Sequence, residues 1–104
     1  MECGELVFED ENWVGYRNID MCGEGDIDII NDWEDHATIE ELRQVGVEGG
    51  ISAITVSDGD PGYDHAFIKA FEYTLTKDHC KPVTETSNMP CIIYIRKFPP
   101  EEEN

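Results

Sequence analysis

A chain of 104 residues with 39% hydrophobic content is long enough to bury one core of its own and shows no composition break that would divide it into two domains. Twenty-four acidic residues against seven basic ones give a formal charge of −17, a field that repels phosphate backbones and anionic lipid, so nucleic-acid binding and direct membrane insertion are excluded as expectations. No apolar run approaches the ~20 residues of a membrane span, and Met1-Glu2-Cys3-Gly4-Glu5 lacks the cationic start and apolar stretch of a signal peptide; the expected compartment is cytoplasmic for a complete chain and oxidising or organellar for a processed fragment.

In chain order, residues 5–20 mix apolar and charged positions and predict one or two short strands anchored by Leu6, Phe8, Trp13 and Tyr16. Cys22-Gly23-Glu24-Gly25-Asp26 marks a turn, after which Ile27, Ile29 and Ile30 read as a β segment ending near Trp33. Thr38-Ile39-Glu40-Glu41-Leu42 carries the capping-box pattern of a helix start. Ile39, Leu42 and Val45 fall on its inner face, Glu40, Glu41 and Arg43 point to solvent, and Gly46, Gly49 and Gly50 end it after two to three turns. Ile51–Ser57 is β-branched at four of seven positions and is stopped by Asp58-Gly59-Asp60-Pro61-Gly62, so it predicts a strand. His65–Thr76 alternates in part and reads as a further strand. Cys91–Phe98, dense in β-branched and aromatic residues, has the pattern of a central strand, and Pro99-Pro100 closes it ahead of an acidic tail over 99–104. The expected fold is a single α+β domain over 1–98, with one short helix packed on a four- to five-stranded, mostly antiparallel sheet.

The chain contains several clusters of residues capable of chemistry. Asp58, Asp60 and Asp64 offer oxygen donors of the kind Ca²⁺ accepts, although Lys69 stands where an EF-hand loop needs its bidentate Glu; Ca²⁺ is the only cofactor this pattern suggests. His36, His65 and His79, with Cys80 beside the last, lack the close paired spacing of a structural zinc site. No family-type signature supports a nucleophilic Cys80. Among Cys3, Cys22, Cys80 and Cys91, the last two bracket a turn-rich loop, and a disulfide between Cys80 and Cys91 would contribute about 2 to 4 kcal/mol by loop closure; reduced thiols packed as small hydrophobes are the alternative.

Acid is placed unevenly: residues 1–35 hold twelve carboxylates opposed by Arg17 alone. Glu24, Asp26, Asp28, Asp32 and Asp35, with Trp33 among them, form a candidate surface for a basic protein partner. Aromatics beside carboxylates (Trp13, Tyr16, Trp33, Tyr63) also suit a carbohydrate-binding module if exposed, and a core if not.

The order of an aromatic start with Trp13, Tyr16 and Cys22, a helix at Thr38-Ile39-Glu40-Glu41-Leu42, a Ser52-Ala53-Ile54 strand and a closing Cys91–Phe98 strand resembles the apple/PAN module. Gly50–Val56, Ala66–Leu75 and His79-Cys80-Lys81-Pro82 are similar to segments of uncharacterised single-domain proteins of microalgae. The apple/PAN resemblance implies a non-enzymatic module that binds protein or carbohydrate; it departs from that family in carrying Leu42 and Val45 where the family's helix bears cysteines. The expected function is accordingly a non-enzymatic binding or accessory domain that presents an acidic surface to a protein partner, in a larger assembly.

Overall fold

A computed structural model of the chain describes residues 2–21, 25–35, 37–57, 65–86 and 90–97. Among them are strands β1 (Glu5–Glu9), β2 (Trp13–Arg17), β3 (Ile19–Asp20), β4 (Asp26–Asn31), β5 (Ala53–Ser57), β6 (His65–Lys69), β7 (Lys81–Pro82) and β8 (Cys91–Arg96). Helix α1 (Ile39–Gly49) precedes β5, and a single turn, α2 (Val83–Thr86), precedes β8. Six strands form one sheet in the order β1-β2-β8-β5-β6-β4, every neighbour antiparallel, while β3 and β7 make a separate two-stranded ribbon. One helix on a mostly antiparallel sheet is the α+β arrangement the sequence predicts, with more strands than the four to five anticipated.

Side chains alternate across a strand, so neighbouring residues of β5 and β8 enter two different cores. Ile54 and Val56 join Trp13, Ala66 and Tyr94 beneath α1, together with Trp33, Leu42 and Ile51. Ala53, Ile93 and Ile95 face the other way, against Ile19, Met21 and Leu75. Both faces of the sheet are therefore covered, which is why β5 and β8 read as nearly unbroken apolar runs and why they sit at its centre.

The ends of α1 follow from local chemistry. Thr38 Oγ1 accepts from the Glu41 N–H (3.2 Å) and Glu41 Oε1 accepts from the Thr38 N–H (2.9 Å), which satisfies two donors a helix start leaves open. At the other end Gly50 takes the left-handed conformation (φ 68°) and donates to the carbonyls of Gly46 and Val47. The inner face is shifted from the expected one. Val45 is 64% exposed, whereas Arg43, expected in solvent, is buried with its guanidinium 3.9 Å from the Phe8 ring centroid and 5.2 Å from that of Tyr94. Gly46 does not end the helix but lies inside it: a Cβ there would meet Trp13 Cζ2 at 2.9 Å and Ile51 Cδ1 at 2.9 Å, so the absent side chain is the seat of the Trp13 indole.

Two further expectations change. The strand anticipated over 65–76 ends at Lys69: the Ala70 N–H still donates in register to the Gly25 carbonyl (2.9 Å), and the Phe71 N–H then goes to the side chain of Ser52 (Oγ, 2.8 Å). Leu6, expected as a buried anchor, is half exposed on the edge strand β1, while Trp13 is buried as anticipated and Phe8 and Tyr16 pack partly buried against the two cores.

Candidate functional site

The acidic segment is built around Trp33. After β4 the chain passes through Asp32 in the left-handed region (φ 55°) into a short 3-10 turn, Trp33–Asp35, closed by the Asp35 N–H on the Asp32 carbonyl (3.0 Å) and the Ala37 N–H on the Trp33 carbonyl (2.9 Å). Trp33 itself is 5% exposed and packs in the core beneath α1. It is thus an anchor and not the contact residue the sequence suggested, and its buried Nε1 has no acceptor among the described residues. Pinned in this way, the turn holds Asp32, Glu34 and Asp35 in solvent, and Asp28 on the preceding strand is exposed as well. Among the described residues no lysine or arginine forms an ion pair with any of the four.

Asp26 does not belong to that surface. Its carboxylate accepts from Lys69 Nζ at 2.5 Å, and Lys69, the residue directly opposite it on β6, is 1% exposed. Asp20 of β3 approaches the same ammonium at 3.8 Å and accepts from Thr55 Oγ1 at 2.9 Å. A buried ammonium is tolerable only with such partners. The pairing makes β4, β5, β6 and the β3–β7 ribbon mutually dependent, and it draws one carboxylate out of the acidic face.

Cys80 lies beside this network. Burial, reinforced by the Asp20 carboxylate and opposed by the Lys69 ammonium, pushes its thiol from 9.0 up to about 12. At neutral pH it is therefore a protonated, weakly nucleophilic thiol. Its Sγ faces the Thr76 carbonyl at 4.0 Å, whereas the buried Cys91 Sγ faces the Ile19 carbonyl at 3.5 Å. Cys80 is a free thiol, so the bridge anticipated between Cys80 and Cys91 is not formed here. His79 is occupied in local structure: its Nδ1 accepts from the Thr76 N–H (3.0 Å) and its ring packs 4.8 Å from that of Tyr73.

Of the other candidate positions, Glu24 and the proposed Ca²⁺ ligands Asp58, Asp60 and Asp64 lie outside the described residues, as do His36 and Tyr63. Among the described residues no three His, Cys, Asp or Glu side chains converge on a common point, and no helix is long and apolar enough to cross a membrane. With both tryptophans buried, the aromatic surface a carbohydrate module needs is not supplied by Trp13 or Trp33.

The Lys69–Asp20–Asp26–Thr55 cluster went unread in the sequence. Its one local signal is that Lys69 is the lone cation in Ala66-Phe67-Ile68-Lys69-Ala70-Phe71. No family model, no curated protein and no solved structure matches the chain.

Proposed function

We propose that the protein is a non-enzymatic binding module that docks on a basic protein surface through the acidic turn following β4. The supporting observation is the contrast in charge pairing: Asp28 on β4 and Asp32, Glu34 and Asp35 on the turn fixed by buried Trp33 are exposed, with no cation among the described residues to neutralise them. Four exposed carboxylates within residues 28–35, at a formal charge of −17, attract a cationic partner over a Debye length of about 10 Å at 0.1 M salt. The class implied by the apple/PAN resemblance is the same, a module that binds rather than catalyses.

The test is binding to an immobilised lysine-rich peptide across a salt series. Neutralising the turn with Asp28→Asn, Asp32→Asn, Glu34→Gln and Asp35→Asn should weaken capture about tenfold or more. A control that removes the same charge elsewhere, Glu11→Gln, Glu40→Gln, Glu72→Gln and Glu85→Gln, should weaken it far less. Equal losses in the two variants would reduce the effect to net charge and remove the assigned surface.

A further inference from the structure

The sheet has two outer strands, and they differ in how their edges are guarded. On β1 the acids have cations at hand: Glu5 lies 3.4 Å from Arg17, and Glu9 lies 3.0 Å from Lys97. Leu6, half exposed, is the one exposed large apolar side chain on that strand. β4 is different. Among the described residues it has a strand on one side only, and it exposes two isoleucines, Ile27 at 62% and Ile29 at 51%. Asp28 stands between them with no cation paired to it among the described residues, and its own carboxylate accepts the Ile29 N–H at 2.9 Å. A main-chain donor on an edge strand is thus held by a side chain next to it. The register with β6 shifts between Asp26 and Asp28, so the regular part of the edge is Asp28–Asn31.

We propose that β4 accepts an added strand from another protein, an extended segment in which lysine or arginine alternates with β-branched apolar residues. This rests on the acidic-face reading above and adds its mode. A lysine of the incoming segment takes the Asp28 carboxylate, which releases the Ile29 N–H to a carbonyl of the new strand. The apolar residues of that segment cover Ile27 and Ile29, and its remaining cations meet Asp32, Glu34 and Asp35 at the end of β4. Main-chain bonds supply the register and the alternating side chains the selectivity, as in other sheet-edge complexes. A second copy of this chain is a poor occupant, because it would set acid against acid along the whole edge at a charge of −17 per molecule.

The experiment uses a peptide of alternating lysine and valine, about eight residues long to match a typical strand, and two analogues N-methylated on its odd or its even residues. Methylation leaves the charge intact but blocks the N–H groups of one peptide edge only. The parent should bind. One analogue should bind as the parent does, and the other should lose about tenfold in affinity, equivalent to one or two net hydrogen bonds. Binding should also slow hydrogen exchange at the Ile29 amide, and the surface double variant Ile27→Thr with Ile29→Thr should weaken the parent peptide. If both analogues bind like the parent and the Ile29 amide exchanges unchanged, strand addition is overturned while the acidic-face reading survives. If the parent peptide does not bind at all, both fail.

Discussion

The two faces of the central sheet solve the same burial problem with different materials. Beneath α1 the cover is a regular helix that satisfies its own backbone, and the core it closes is built of Trp13, Leu42, Ile54, Val56 and Tyr94. On the opposite face the cover is the β3–β7 ribbon and the irregular chain from 70 to 80, whose backbone groups must find partners elsewhere. Polar side chains provide them. Ser52 Oγ accepts the Phe71 N–H, and Asn18, buried at φ 63°, donates from Nδ2 to the Glu2 carbonyl (2.9 Å) while its Oδ1 accepts the Cys91 N–H (3.3 Å). Lys69, Asp20 and Thr55 complete that side. A helical cover needs few polar side chains to satisfy backbone groups; an irregular one imports them, and each becomes a point of failure.

The contrast is broken most severely at Lys69. Lys69→Met leaves the Asp20 and Asp26 carboxylates facing each other without their ammonium, and should cost about 3 to 5 kcal/mol in urea unfolding. Adding Asp20→Asn and Asp26→Asn should recover part of it. Asn18→Ala comes next: it loses the two side-chain hydrogen bonds and puts alanine in the left-handed region, for about 2 to 4 kcal/mol. Asn18→Gly, which relieves only the backbone share, should fall between alanine and the native protein.

On the helix side, Gly46→Ala gains about 1 kcal/mol of helix propensity but drives a methyl into the Trp13 ring, an overpacking cost of about 1 to 3 kcal/mol. Because Trp13 is 1% exposed and has nowhere to retreat, the net effect should be destabilising, and a rise in melting temperature would show that this core is looser than its packing implies. The smallest effect is a pH slope. With the Cys80 thiol raised from 9.0 to about 12 in the fold, the unfolded chain releases that proton first. Stability is then unaffected below pH 9 and declines from there towards pH 12. Cys80→Ala should flatten that part of the stability profile relative to the native protein, and identical slopes would place the thiol in water.

The asymmetry between the faces also explains what the residues disclosed in advance. The elements of the helix side were legible because their signals are local: Thr38 with Glu41 writes the cap, Gly50 the exit, and the β-branched runs of β5 and β8 the centre of the sheet. The partners of the other side are distant in sequence. Asp20, Asp26 and Lys69 meet only because β4 pairs with β6 and the β3–β7 ribbon folds over them, and no spacing rule links residues so far apart. The same holds for Arg43, whose charge predicts solvent until Phe8 and Tyr94 arrive from β1 and β8 to receive it. At the acidic turn the carboxylates are plain in the residue order but the role of Trp33 is not, since a tryptophan among aspartates looks the same in one dimension whether it faces out or in.

Both indoles, Trp13 and Trp33, lie on the helix side, and this has an optical consequence. Tryptophan emission from this protein reports one half of the molecule. The Lys69 half contains no indole among the described residues, so loosening there leaves the fluorescence unchanged while amide exchange in β3 and β7 accelerates. Coincidence of those two signals during unfolding is therefore the measure of whether the two halves melt as one cooperative unit.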